Sequence, residues 1–303
     1  MYDVIIIGSG PAGLSASIYA KRAKLESIVI EKEFMGTGQI AESSRVDNYP
    51  ALYGESGYDL GEKFRSHAEA VGTEFLEAEV IRITPENNYY TVWLNDGKSL
   101  VSKTIIYATG TSRRKLNIKG EQEFSGKGVS YCAVCDGAFF EGKTVAVIGG
   151  GDTAFSDALY LSEICEKIYI INRRNVFRAS EELQEKVKNK PNIEFILNAV
   201  PIEFTGDKIL NGIRYLQNEQ EKNISVSGSF TAIGSNPNTE LLKDIVELDI
   251  NGYIKANEDG ITSAKGIFVA GDIRTKQLRQ VITAASDGAN CVESVRKYLL
   301  NGS

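Results

Sequence analysis

At 303 residues the chain is long for one core and comfortable for two domains, and 42% hydrophobic with 24% charged residues is the make-up of an ordinary soluble globular protein. Lys and Arg total 34 against 40 Asp and Glu, a net charge of −6 without basic runs, which leaves no electrostatic footprint for nucleic acid or an anionic membrane. No apolar stretch approaches the roughly 20 residues that cross a bilayer, and no basic segment precedes the first apolar run, so no secretory signal is expected and a cytoplasmic location is.

Val4–Ile7 is a continuous apolar run and predicts a strand buried on both faces. Gly8-Ser9-Gly10-Pro11-Ala12-Gly13 follows, then Leu14–Ala23 with helical composition and a second apolar run, Ile28–Ile30, that ends on Glu31. A dinucleotide pyrophosphate needs backbone N–H donors at a helix N-terminus with no Cβ in the way, and the third glycine lets helix pack on strand. Gly8, Gly10 and Gly13 take those three positions, and Glu31 stands where a carboxylate accepts from ribose hydroxyls.

An amphipathic segment around Leu60–Ala68 carries the single histidine, His67, far from any motif. Short strands are expected at Glu79–Ile83, Tyr89–Leu94 and Thr104–Ala108, with hairpin chemistry at Asn95-Asp96-Gly97. Next comes Cys132-Ala133-Val134-Cys135-Asp136. Two cysteines three apart can close a small disulfide ring, and in a reducing compartment such a pair is catalytic more often than structural. Should Cys135 open a short helix, nearby N–H groups would favour its thiolate, and Asp136 is the candidate acid for the departing sulfur. A zinc site would want a second ligand pair. The remaining cysteines, Cys165 and Cys291, sit in apolar helical patterns as small core residues, so no metal is expected.

The opening pattern then repeats. Thr144–Ile148 leads into Gly149-Gly150-Gly151-Asp152-Thr153-Ala154, a helical stretch from Phe155 to about Ile164, and Ile168–Ile171. Gly149, Gly151 and Ala154 occupy the three motif positions. Where the first unit has Glu31, this one has Asn172-Arg173-Arg174, with Arg178 a turn further on. A carboxylate would repel a 2′-phosphate, whereas guanidinium groups can bind it bidentately. The first turn therefore suits an unphosphorylated adenosine ribose and the second suits NADPH. Strands are expected again at Glu194–Leu197, Gly212–Leu216, Ser229–Ile233 and Gly266–Ala270, and a helix from Val281 to Leu300. Two strand–turn–helix–strand units predict an α/β fold with two Rossmann-like nucleotide-binding domains of three-layer architecture.

In this order the motifs resemble the bacterial low-molecular-weight thioredoxin reductases. The likeness includes Gly38-Gln39-Ile40, Asp47-Asn48-Tyr49-Pro50, Ala108-Thr109-Gly110, Cys132–Gly137, Arg173–Arg178, Ala270-Gly271-Asp272-Ile273 and Arg279-Gln280-Val281. It implies FAD at the first turn, with Pro11, Ala12, Lys32, Gln39, Asn48, Thr109, Gly110, Asp272, Arg279, Gln280 and Val281 around it, and Asp152 and Thr153 among the NADPH contacts. It also implies an FAD domain split into 1–113 and 246–303, an NADPH domain at 114–245 inserted between them, a homodimer, and thioredoxin or a thioredoxin-like protein as substrate. Cys135 would face the flavin and Cys132 would attack the substrate disulfide. Dithiol and nicotinamide site share the inserted domain yet must each reach one flavin, so a rotation about linkers near 114–117 and 242–246 is expected. The chain departs from the common pattern at Asn172, in place of a frequent His, and at Asp152, Gly36-Thr37-Gly38 and Ala51. Three alternatives stay open on these residues: an enzyme fed by reduced ferredoxin, a ferredoxin–NADP reductase or oxidase on the same fold, and a redox sensor using the dithiol as a switch.

Overall fold

The computed structural model describes residues 1–33, 36–43 and 45–301. The chain divides into two units, one of Met1–Ser112 with Asn236–Ser303 and one of Arg113–Ser235.

The first unit opens with β1 (Tyr2–Ile7), α1 (Pro11–Arg22) and β2 (Ser27–Glu31), the predicted strand, helix and strand. Pro11 is the first helical residue of α1, where a missing N–H costs nothing. After α2 (Gly57–Ala70), capped by the Ser56 hydroxyl accepting from the Asp59 N–H, come β3 (Glu74–Glu77), β4 (Val80–Pro85), β5 (Tyr90–Leu94) and β6 (Ser99–Tyr107). They form one sheet in the order β3-β2-β1-β6-β5-β4, parallel through β6 and antiparallel beyond it. The chain leaves through β7 (Thr111–Arg113).

In the second unit, β8 (Val129–Ser130) leads into a one-turn helix, α3 (Ala133–Asp136). Then follow β9 (Thr144–Ile148), α4 (Asp152–Ser162), β10 (Lys167–Asn172), α5 (Glu181–Lys188) and β11 (Ile193–Leu197). An antiparallel sheet of β12 (Ala199–Gly206), β13 (Leu210–Gln217) and β14 (Gln220–Ser225) precedes β15 (Gly228–Thr231). The main sheet is parallel, in the order β11-β10-β9-β15-β8. Val145 and Val147 pack with Phe155, Ala158 and Leu161 of α4, while Ala146 and Ile148 pack with Phe204, Ile213 and Tyr215 of the antiparallel sheet. That alternation makes three layers: helices, parallel sheet, antiparallel sheet.

The chain returns through β16 (Ser235–Pro237), adds β17 (Ile267–Val269) beside β6 in parallel, and ends in α6 (Val281–Leu300). Val4 and Ile6 of β1 face Ala12, Ala16, Cys291 and Val295 of α1 and α6, and Ile5 and Ile7 face the opposite core. Gly288 is where the two helices cross, since a Cβ there would stand 2.1 Å from the Ala12 carbonyl oxygen. The return crossing falls at 235/236, earlier than the expected 245/246. The cause is packing: Leu242 and Val246 are buried in one cluster with Ile5, Ile254 and Ile267, so this segment belongs to the first unit's core. The outgoing crossing falls at 112/113.

Candidate active site

In the first turn each glycine has a separate steric reason. Gly8 has φ +101°, and a Cβ on it would lie 2.5 Å from the Ala108 carbonyl oxygen. A Cβ on Gly13 would lie 1.9 Å from the Gly8 carbonyl oxygen, so the third position is closed by helix–strand packing. At Gly10 the nearest atom to such a Cβ is Gly38 Cα, 3.9 Å away, and the backbone faces open space. That open position at the N-terminus of α1 is the cradle a pyrophosphate requires. Glu31 is tied to the same turn, its Oε2 accepting from the Ser9 N–H at 2.9 Å and the Ser9 hydroxyl at 2.8 Å, and its Oε1 from the Glu33 N–H at 3.1 Å. Ser9, fully buried, was not singled out in the sequence, because a variable motif position carries no signal of a clamp.

Parallel strand order explains how distant motifs meet. Gly8 follows β1, Glu31 ends β2, Thr109 and Gly110 follow β6, and Asp272 follows β17, all at the carboxyl edge of one sheet. A Cβ on Gly271 would stand 3.0 Å from the Cβ of Ala12, which puts the Gly271-Asp272 turn beside the start of α1. Asp287 of α6 holds this turn. It accepts from the Gly271 N–H at 2.9 Å, from Arg274 at 2.9 and 2.7 Å, and from Lys276 at 2.8 Å. This buried ion cluster was missed in the sequence, since one Asp in an apolar helix gives no pattern. Among the other expected FAD contacts, Asn48 donates to the Gln280 side chain at 2.9 Å, Arg279 reaches the Asp272 carbonyl at 3.4 Å and lies over the Tyr253 ring at 4.3 Å, and Gln39 donates to the Thr111 carbonyl. Gln280 caps α6 ahead of Val281, and Lys32 is exposed. The open glycine, the clamped carboxylate and the converging edge fit a flavin adenine dinucleotide.

The second turn repeats the logic with one change. A Cβ on Gly149 would meet the Ala232 carbonyl oxygen at 2.4 Å, whereas one on Gly151 would meet nothing within 4 Å. Ala154 is fully buried against the sheet, Thr153 is exposed on the first turn of α4, and the Asp152 carboxylate accepts from the Ser180 N–H at 2.8 Å. Arg173, Arg174 and Arg178 are exposed and, among the described residues, pair with no carboxylate. Three such guanidinium groups beside an open glycine turn fit a 2′-phosphorylated nucleotide.

The dithiol lies on the same edge. β8 runs parallel to β15, which runs parallel to β9, so Cys132 after β8 and Gly149 after β9 leave the sheet in the same direction two strands apart, about 10 Å. Cys132 and Cys135 are disulfide-bonded with Cα atoms 5.3 Å apart. The short helix opens at Cys132 rather than Cys135: Cys132 is its N-cap, and its Sγ accepts from the Cys135 N–H at 3.2 Å. The first cysteine's sulfur therefore receives the helix-end donor. Ser130, also unflagged by the sequence, links acid to dithiol. Its hydroxyl donates to Asp136 Oδ2 at 2.6 Å and accepts from the Cys132 N–H at 3.1 Å. Asp136 Oδ1 is buried and has no hydrogen-bond partner among the described residues. Burial raises the Asp136 carboxyl above its usual range, against the opposing pull of the Ser130 hydroxyl and the Arg113 charge. His67 is exposed on α2, and Cys165 and Cys291 are buried.

This chain is 40% identical over 299 residues to the thioredoxin reductase of Mycoplasma genitalium, covering 98% of this chain and 95% of that one. It is 39% identical to NADPH-dependent thioredoxin reductase 3 of Arabidopsis thaliana, covering 98% of this chain and 58% of that protein. The crystal structure of thioredoxin reductase from Streptococcus pyogenes superposes with a TM-score of 0.94 at 37% identity, covering 99% of each chain. No helix among the described residues is long and apolar enough to cross a membrane. Residues 2–288 match the family described as pyridine nucleotide-disulphide oxidoreductase, and the chain belongs to that family.

Proposed function

We infer that the chain is an NADPH-dependent thioredoxin reductase, which passes two electrons through its Cys132–Cys135 pair to the disulfide of thioredoxin or a thioredoxin-like protein. The observation that carries this reading is the shared edge: the Cys132–Cys135 disulfide and a glycine turn followed by arginines that, among the described residues, meet no carboxylate leave one sheet in the same direction two strands apart. When bound, NADPH supplies a hydride and FAD a two-electron relay. Gly8, Gly10 and Gly13 with Glu31 hold the flavin nucleotide in the first unit; Gly149, Gly151 and Ala154 with Arg173, Arg174 and Arg178 hold NADPH in the second.

The remaining chemistry belongs to the chain. With the pair reduced, the Cys132 thiolate attacks one substrate sulfur and expels the other as a thiolate, forming a mixed disulfide. Cys135 then attacks Cys132 Sγ, which restores the Cys132–Cys135 bond and releases the substrate as a dithiol. Asp136, neutral at higher pH than an exposed Asp, is the proton donor to a departing sulfur. Rotation of the two units about the crossings at 112/113 and 235/236 alternates nucleotide site and dithiol at the flavin. We assign the enzyme to the cytoplasm as a homodimer, which light scattering of the purified holoenzyme checks.

A coupled assay with NADPH or NADH and thioredoxin tests the reading, alongside the visible spectrum of the purified protein. Flavin absorbance, bleaching by NADPH and thioredoxin reduction that stops on Cys132→Ser are expected. A flavin bleached only by reduced ferredoxin, or turnover indifferent to Cys132→Ser, would overturn it.

A further inference from the structure

Asn172 ends β10 immediately before the basic loop, and only 8% of it is exposed. Its side-chain amide donates twice, to the Arg174 carbonyl at 3.0 Å and the Val176 carbonyl at 3.0 Å. Its Oδ1 lies over Gly150, where a Cβ would come within 2.6 Å of it. Gly150 ties the far end of the same loop, its carbonyl accepting from the Arg178 N–H at 2.7 Å and the Ala179 N–H at 3.2 Å. The loop is thus held at both ends by two residues that are themselves in contact, and one of them belongs to the glycine turn.

Three cations within six residues repel one another and would splay an untethered loop. Here the backbone carrying them is fixed, and among the described residues no carboxylate neutralises them. Fixing it in advance removes part of the ordering cost that binding would otherwise meet. A side chain at position 150 would displace the amide. A neutral histidine at 172, the residue the family resemblance anticipates, has a single N–H donor and could satisfy only one of the two carbonyls.

We propose that Asn172 is a positioning residue for nucleotide choice: it favours a 2′-phosphorylated adenosine by holding Arg173, Arg174 and Arg178 in register with the glycine turn, without touching the phosphate. This rests on the assignment of the second turn to NADPH. Both of its side-chain donors are spent on the loop, so its influence must pass through the arginines.

The test is calorimetric titration of the holoenzyme with 2′,5′-ADP and with 5′-ADP, independent of turnover. For Asn172→Ala, losing two hydrogen bonds should weaken 2′,5′-ADP by about tenfold and 5′-ADP by less than about twofold. Asn172→Asp keeps the shape but turns acceptors toward two carbonyls, and should weaken 2′,5′-ADP at least as much. An unchanged ratio of the two affinities in both variants overturns the proposal. If the unsubstituted protein does not prefer 2′,5′-ADP, the NADPH assignment falls with it. Amide exchange on the unsubstituted protein checks the same claim without a variant. The Arg178 and Ala179 amides should be protected before ligand is added, and exchange at unfolded-chain rates would overturn the preformed loop.

Discussion

Asp136 and Asp157 lie on neighbouring helices of the second unit, and burial holds both carboxyls above the ordinary range. Ser130 bridges the Asp136 carboxylate and the Cys132 N–H, and in the proposed mechanism the raised carboxyl keeps its proton to higher pH than an exposed Asp does. Asp136→Asn should slow thiol–disulfide exchange by about 100-fold or more, the scale of a lost general acid. It should also remove an alkaline limb of the pH–rate profile that the parent shows above the ordinary Asp range; a limb retained in the variant would assign it to another group. Asp157 is instead a stability liability at neutral pH. Its carboxyl is pushed up from 3.8 to about 7 by desolvation alone. A raised folded-state value means that the stabilisation is complete below about pH 4 and is lost as pH rises to about 7. Asp157→Asn should raise the thermal midpoint by about 3 °C at pH 8 and by less at pH 5, with a pH-independent gain contradicting the cause. In the sequence, Asp136 could be singled out as a candidate from its place beside Cys135. Asp157 could not, because nothing in an Asp on a helix tells how far its carboxyl is withdrawn from water.

At the level of elements, two glycines that look alike in a motif answer to different forces. Gly13 is closed by packing, and Gly151 faces open space. Gly13→Ala forces α1 off β1, and the fold should lose about 1–3 kcal/mol as in other overpacked sites. Gly151→Ala should leave the thermal midpoint and flavin content unchanged while nicotinamide nucleotide affinity falls at least about tenfold, because the new methyl would stand in the open space proposed for the NADPH phosphates. Equal destabilisation of the two variants would contradict the distinction. The strand–turn–helix–strand units, the Asn95-Asp96-Gly97 hairpin and the span of α6 were all legible from period and turn chemistry. The opening of α3 at Cys132 was not, because a four-residue helix has no periodicity. Nor was the hold of Asp287 on the Gly271-Asp272 turn, a contact between residues brought together only by the docking of α6.

For the whole molecule, the proposed cycle needs the second unit to present two sites in turn. A cross-link that fixes one unit to the other should permit no more than one half-reaction, so steady-state thioredoxin reduction falls to background while the flavin or the dithiol remains reducible. Normal turnover of the cross-linked protein would contradict rotation. The sequence by itself determined the types of chemistry, because each is carried by neighbours in the chain: a glycine turn, a carboxylate or arginines after the next strand, two cysteines three apart. Where the chain returns to its first unit was decided by burial of Leu242 and Val246, which no local pattern announces. The common edge of nucleotide turn and dithiol was decided by strand order, since β15, which comes much later in the chain, inserts between β9 and β8 and pairs in parallel with both. Local composition selects the reacting groups; long-range strand pairing and side-chain burial determine which of them meet and how tightly each holds its proton.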